Sequence, residues 1–196
     1  MREVAIATRN RGKLAELRRI LEGLDIELRS AGDLGLPEFE ETGDSFTQNA
    51  LGKARAAAKA SGLLALADDS GLVVDQLGGE PGVRSARYSG PEADDHANLR
   101  LVLERMRPQA DRSARFVCVA ALVVPDGREW TVEGILDGHI VDEPRGEGGF
   151  GYDPIFQPVG QRRTTAEMSP EEKDRISHRG KAFRALRPVV AQLLQT

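Results

Sequence analysis

The chain has one cysteine, Cys118, in 196 residues. A single thiol can build neither a disulfide framework nor a cysteine metal site, which fits a reducing compartment. Cys118 lies in the apolar run from Phe116 to Val124 and reads as a core thiol. No stretch approaches the roughly 20 apolar residues that span a bilayer. The opening residues, Met1 to Thr8, meet a charge at once and lack the apolar core of a signal peptide. The expected location is therefore the cytoplasm, with no membrane partner. An excess of one sign of charge is also missing: 27 Lys+Arg against 31 Asp+Glu leave a net charge of −4. That argues against a protein that coats nucleic acid, while a local basic pocket stays open. No internal repeat or low-complexity tract occurs.

What is present is organised around Leu63 to Leu72. Five apolar residues, Leu63 to Ala67, run into Asp68, Asp69, Ser70 and Gly71. The run is too short for a lone helix and does not alternate, so it predicts a strand buried on both faces. Asp68, Asp69 and Ser70 then fall where the strand leaves the sheet, the end that faces the ligand crevice in open α/β sheets. Adjacent carboxylates repel, and burying them is costly unless something cationic answers them. A divalent metal is the usual answer. The plainer alternative is that they cap a turn before Gly71.

Val4 to Ala7 predict a first buried strand. Leu14, Leu17, Ile20 and Leu21 recur at helical spacing behind the polar segment Thr8 to Lys13. A loop that opens a helix offers free backbone N–H groups and the positive end of a dipole. Thr8, Asn10 and Lys13 there could hold phosphates, or form an ordinary polar loop. The Walker A spacing is absent. Ile26 to Leu28 suggest a short strand. Glu38, Glu40 and Glu41 crowd an acidic turn before Gly43, which by itself reads as solvated. Ser45 and Gln48 predict a capping box for a helix from Phe46 to about Ala60, with Ala50, Ala54, Ala57 and Ala58 as its packing stripe. Asn49 and Lys53 share one face of it and would ordinarily be surface residues.

Gly71 to Leu77 suggest another strand, and Pro91 to Arg107 a helix. Arg115 to Val124 and Glu129 to Leu136 predict two strands joined at Pro125-Asp126-Gly127, with Trp130 packing at the start of the second. Gly146, Gly148, Gly149 and Gly151 surround Phe150 ahead of Tyr152-Asp153-Pro154. A phenylalanine in such a loop suits a base-stacking platform, or a buried anchor. Ser169-Pro170-Glu171-Glu172 reads as a cap, a proline at the first helical position and acids in the first turn. His178 and Arg179 lead the last helix, whose apolar face is Phe183, Leu186, Val190, Leu193 and Leu194, with Pro188 expected to bend it. Cations at a helix start gain nothing from the dipole, which points to a role in function.

Taken together, these motifs resemble the noncanonical purine nucleoside triphosphate pyrophosphatases, the inosine triphosphatase or dITP/XTP pyrophosphatase family. The resemblance rests on Thr8 to Lys13, on Glu40-Glu41-Thr42-Gly43 with Asn49 and Lys53, and on Ala67 to Leu72. It continues through Gly82, Ser85 to Gly90, Gly148 to Pro154, Glu172-Lys173 and Ser177 to Gly180. The motifs cover the chain end to end. Arg9 departs from the pattern, standing where glycine is expected and adding a charge beside the phosphates.

The resemblance implies one domain over residues 1–196: a long mixed α/β sheet flanked by helices, in two lobes with an active-site cleft between them, usually a homodimer. It implies hydrolysis of ITP, dITP and XTP to the monophosphate and pyrophosphate with Mg²⁺. Thr8, Arg9, Asn10, Arg11, Gly12, Lys13 and Lys53 would bind phosphates. Asp69 would be general base and metal ligand, with Glu40 or Glu41 as second ligand, and Ser70 would touch substrate. Phe150, Gly151, Tyr152, Asp153, Lys173, His178 and Arg179 would hold the base. The chemistry agrees: metal and lysines neutralise the triphosphate, and a carboxylate takes the proton of the attacking water. Protein donors facing the purine 6-position donate to a carbonyl there and are left unpaired by an amine. A nucleotide sensor without turnover would use the same pocket, but has little need of a repelling acid cluster. A phosphatase removing single phosphates would release orthophosphate instead, and the D-x-D motif of the haloacid-dehalogenase type is absent after the first strand.

Overall fold

A computed structural model describes every residue except Met1, Glu38, Glu40, Ala93 and Thr196. The strands are β1 (Arg2–Ile6), β2 (Ile26–Ser30), β3 (Ala65–Val74), β4 (Ser113–Val123), β5 (Glu129–Ile140) and β6 (Phe156–Pro158). The helices are α1 (Arg11–Ile20), α2 (Phe46–Ser61), α3 (Asp95–Met106), α4 (Pro170–Ile176) and α5 (His178–Leu194). One sheet runs in the order β2-β1-β3-β4-β5-β6. β1 pairs in parallel with β2 and β3, while β5 and β6 pair antiparallel, so the sheet is mixed and the expected α/β class holds.

The chain divides into two compact units. The first comprises Met1–Asp69, Cys118–Gly134 and Arg179–Thr196; the second Ser70–Val117 and Ile135–His178. In the first unit the period of two along β3 sorts side chains to opposite faces. Ala65 and Ala67 pack with Ala50, Ala54, Ala57 and Ala58 of α2, all at most 2% exposed. Small residues on both elements let the helix backbone lie close to the strand. Leu66 faces the other way, into a cluster with Leu17 and Ile20 of α1 and Phe183, Leu186 and Val190 of α5. Trp130, at the start of β5, packs against that cluster. In the second unit Leu72, Val74, Phe116, Ile140, Ile155 and Phe156 pack with Leu99, Val102 and Met106 of α3.

Several boundaries differ from the sequence expectation. Asp68, Asp69 and Ser70 do not follow the strand; they are inside it, because β3 continues through Gly71 to Val74. The separate strand expected over Gly71 to Leu77 is the second half of β3 and a 3-10 turn, Asp75–Leu77. Ser45 caps α2 by accepting from the Gln48 N–H at 3.2 Å, but Gln48 returns its side chain to the Asp44 N–H at 2.9 Å, so the reciprocal capping box is not closed. Ser169 and Glu172 do close theirs at the start of α4. α3 begins only at Asp95, after an Asp94 cap. Pro188 lies inside α5, which continues past it to Leu194.

Candidate active site

The period of two that sorts the apolar residues also sorts Asp68 and Asp69. They are sequence neighbours on one strand, so their carboxylates leave opposite faces of the sheet. Each face brings its own cation into contact with its carboxylate.

Asp68 lies among α1, α5 and β4 and is 2% exposed. Its Oδ2 is 3.0 Å from Lys13 Nζ and accepts from Arg179 at 3.1 and 3.2 Å, with the Cys118 thiol 3.9 Å away. Arg179 also donates to Glu16 of α1. Burial alone would raise the Asp68 carboxyl; Lys13, Arg179 and Lys53 outweigh it and hold the group well below the carboxylate range. Burial likewise works against the Arg179 charge, but Asp68 and Glu16 hold its proton more firmly than usual. Burial pushes the Cys118 thiol well up, and Asp68 adds to the shift; Cys118 is the buried core thiol expected.

Asp69 faces α2 and is 4% exposed. Its Oδ1 accepts from Lys53 Nζ at 3.1 Å and its Oδ2 from Asn49 Nδ2 at 3.0 Å. Lys53 donates also to Glu41 Oε1 at 2.6 Å. Asn49 Oδ1 accepts from the Gly43 N–H at 2.8 Å, tying the acidic loop to the same spot. Burial raises the Asp69 carboxyl; Lys53 opposes it, Glu41 reinforces it, and the group ends above its ordinary value. Lys53 is raised too, its burial overcome by Asp69, Asp68 and Glu41. One carboxylate is thus held as an anion, while burial raises the proton affinity of its neighbour.

Asn49 and Lys53, ordinary surface types by spacing, are 5% and 7% exposed. Glu40, the other acid expected to bind metal, lies outside the described residues. Among the described residues no group of three or more His, Cys, Asp and Glu converges on a metal position. The Thr8 to Lys13 segment is a helix start. Thr8 Oγ1 accepts from the Asn10 N–H at 3.2 Å, and the Asn10 side chain accepts from the Lys13 N–H at 3.0 Å as N-cap of α1. Arg11 and Gly12 are the first residues of that helix. Arg9 donates to the Leu36 carbonyl at 2.6 Å. Its charge is held by the loop after β2, a place the glycine expectation did not foresee.

Seven residues carry the base-binding expectation drawn from the resemblance. Phe150, Gly151, Tyr152, Asp153, Lys173 and His178 belong to the second unit, Arg179 to the first. Asp153 Oδ2 accepts from Lys173 Nζ and from the Phe150 N–H, while its Oδ1 accepts from Thr165 Oγ1 at 2.7 Å. Lys173 Nζ lies 4.8 Å from the centre of the Phe150 ring, within cation–π range. His178 stacks on Phe116 with ring centroids 4.7 Å apart and planes 14° from parallel. Tyr152 Oη donates to the Ser85 carbonyl at 2.7 Å, and burial raises its phenol well above the ordinary value. Ser85 Oγ in turn accepts from the Leu72 N–H of β3 at 2.9 Å. Arg179 donates to Asp68 and Glu16 on the side of the first unit. Of the residues missed, Glu16 carried a signal: it stands four residues before Ile20, on the apolar face of α1. Thr165 carried none.

Fold and site together define a mixed α/β protein whose central strand carries two buried carboxylates, each answered by lysine or arginine. The chain belongs to the Ham1 family, whose model matches residues 4–189. The resemblance drawn from the motifs therefore holds. A Streptomyces avermitilis protein named dITP/XTP pyrophosphatase is 54% identical over 199 residues, covering 99% of this chain and all of the relative. A solved HAM1 protein from Coxiella burnetii matches with TM-score 0.89 at 44% identity, over 98% of this chain and 100% of that one. The crystal structure of a nucleoside-triphosphatase, dITP/XTP pyrophosphatase, from Mycobacterium abscessus matches with TM-score 0.75 at 52% identity, over 95% and 99%.

Proposed function

We propose that this chain hydrolyses noncanonical purine nucleoside triphosphates (dITP, XTP and ITP) to the monophosphate and pyrophosphate, clearing them from the nucleotide pool. Family membership and the full-length relatives support the enzyme class, a nucleoside triphosphate pyrophosphatase. The observation that carries the mechanism is Asp69: buried, held by Lys53 and Asn49, and raised in proton affinity next to Glu41.

In this reading Asp69 is the general base. A raised carboxylate takes a proton from water better than an ordinary one. The water oxygen bonds to the α-phosphorus, its proton passes to Asp69, and the bond to the bridging oxygen breaks with pyrophosphate as leaving group. Lys53 neutralises charge on the phosphates, and the capped start of α1 offers N–H groups and Lys13 to the chain of phosphates. Asp68 is not a second base: its charge orients Lys13 and is itself fixed by Arg179. The donor set fits Mg²⁺, since Asp69 and Glu41 already converge on one cation, the Lys53 ammonium, and Mg²⁺ needs only one or two protein carboxylates plus water and substrate oxygens. Asp69 and Glu41 would hold the ion, which supplies charge neutralisation on the phosphates. For the base, Phe150 offers a ring face and Lys173 and His178 offer donors to a 6-carbonyl, which an adenine amine would leave unpaired. A homodimer and a cytoplasmic location belong to the same proposal; no helix among the described residues is long and apolar enough to cross a membrane.

The test supplies ITP, XTP, dITP, GTP and ATP separately with Mg²⁺ and measures pyrophosphate and orthophosphate in parallel. Pyrophosphate from the first three is expected, with little from ATP, which lacks the 6-carbonyl, and little from GTP, which shares that carbonyl and would have to be refused through its 2-amino group. Asp69→Asn should lower turnover by about 10²–10⁴ while still binding nucleotide. Nucleotide binding without any product in the wild type would leave a sensor; orthophosphate would make it a phosphatase.

A further inference from the structure

Phe150 stands between two glycines in the left-handed region, Gly149 at φ +72° and Gly151 at φ +61°. At such positions the chain does not itself dictate where the intervening side chain points. Two successive amides are nevertheless held. The Phe150 N–H donates to Asp153 Oδ2 at 2.9 Å, and the Gly151 N–H donates to Asp95 Oδ2 at 2.9 Å. Asp153 belongs to the loop. Asp95 comes from 56 residues away, the first residue of α3. It is not needed as the helix cap, because Asp94 already accepts from the N–H groups of His96 and Ala97 at 2.8 and 3.1 Å. Lower in the same helix, Asn98 accepts from Ser89 and donates to the Ala86 carbonyl, and the Tyr152 hydroxyl donates to the Ser85 carbonyl. The start of α3 therefore anchors the 85–89 segment, which in turn holds the residue after Gly151.

We infer that Asp95 is a positioning residue for the purine: through the Gly151 amide it fixes the Phe150 ring face and, with it, the seat of Lys173 against that ring. The inference rests on the reading of Phe150 as the base platform. Asp95 is not among the partners of Asp69, Lys53 or Lys13 given above, so its effect falls on nucleotide binding and leaves the chemical step alone. What matters is an acceptor oxygen at this position; the negative charge is incidental.

The experiment compares Asp95→Ala and Asp95→Asn with the wild type by amide hydrogen exchange on ¹⁵N-labelled protein and by steady-state kinetics on dITP. Asp95→Ala is expected to speed exchange of the Gly151 amide and raise KM by about two- to tenfold, the range of one net hydrogen bond, with kcat changed less than about twofold. Asp95→Asn keeps an acceptor and should restore both. In a Phe150→Ala background the KM effect of Asp95→Ala should vanish. If Asn behaves like Ala, Asp95 serves the helix dipole and the inference is wrong; unchanged Gly151 exchange in Asp95→Ala also overturns it. Should the wild type release no pyrophosphate from dITP, the substrate reading fails separately, and Gly151 exchange still decides whether Asp95 holds the loop.

Discussion

Arg179 is the largest of the fully buried side chains and carries a full charge. Its guanidinium is answered by Asp68 on a central strand and Glu16 on a helix, and both acids are buried with it. Removing one partner of such a group strands the others without water. Arg179→Met should therefore destabilise the protein by about 3–5 kcal/mol, read from urea unfolding. A residue that only touched the base would cost turnover and leave stability unchanged. Asp68 makes a second, pH-dependent prediction. Its folded pKa lies below its unfolded value near ~3.9, so its stabilisation is fully present above that value and is lost as pH falls towards the folded one. The stability gap between wild type and Asp68→Asn should thus narrow steadily on acidification below about pH 4. A gap that stays constant with pH would show that the Asp68 charge contributes nothing.

At the scale of elements, the loop around Phe150 and the start of α4 respond differently to change. At Gly149 an added Cβ would lie 2.0 Å from Asp153 Oδ2, and the φ of +72° is already unfavourable for any other residue. Gly149→Ala must move either the loop or the carboxylate that holds Lys173. It is expected to raise KM for dITP by about tenfold or more, while urea unfolding shifts by only about 1–2 kcal/mol. Gly151, equally left-handed, has open space around it, so its alanine variant should be the milder of the two. Ser169→Ala removes one arm of a closed capping box and should cost about 1 kcal/mol in urea unfolding.

On the scale of the whole molecule, neither unit is a continuous stretch of chain. The first unit needs the final segment, Arg179–Thr196, to complete a core begun at Val4. Phe183, Leu186 and Val190 from that segment are each 0% exposed, packed with Leu17 and Leu66. A chain ending at residue 178 loses that side of the core together with the partner of Asp68 and Glu16. Its first unit should show no cooperative unfolding transition, monitored by the fluorescence of Trp130, the one tryptophan of the chain, which lies in that unit. A sharp transition would mean that the first unit closes without α5.

The sequence by itself determined most of the element order, because apolar spacing, caps and glycines are local signals; it split β3 in two at Gly71 and gave no sign of the three-residue β6. It also pointed to Asp69, Lys53 and Phe150, through motifs that hold together only as a set. It could not separate Asp68 from Asp69. Adjacency in the chain suggested a shared cation, and only their place inside a strand turned one to α1 and α5 and the other to α2. The burial of Asn49 and Lys53, the pairing of Arg179 with Glu16 and the reach of Asp95 to Gly151 were decided by tertiary structure alone. Each joins residues distant in the chain, and a charge's partner follows from packing and desolvation rather than from its neighbours in sequence.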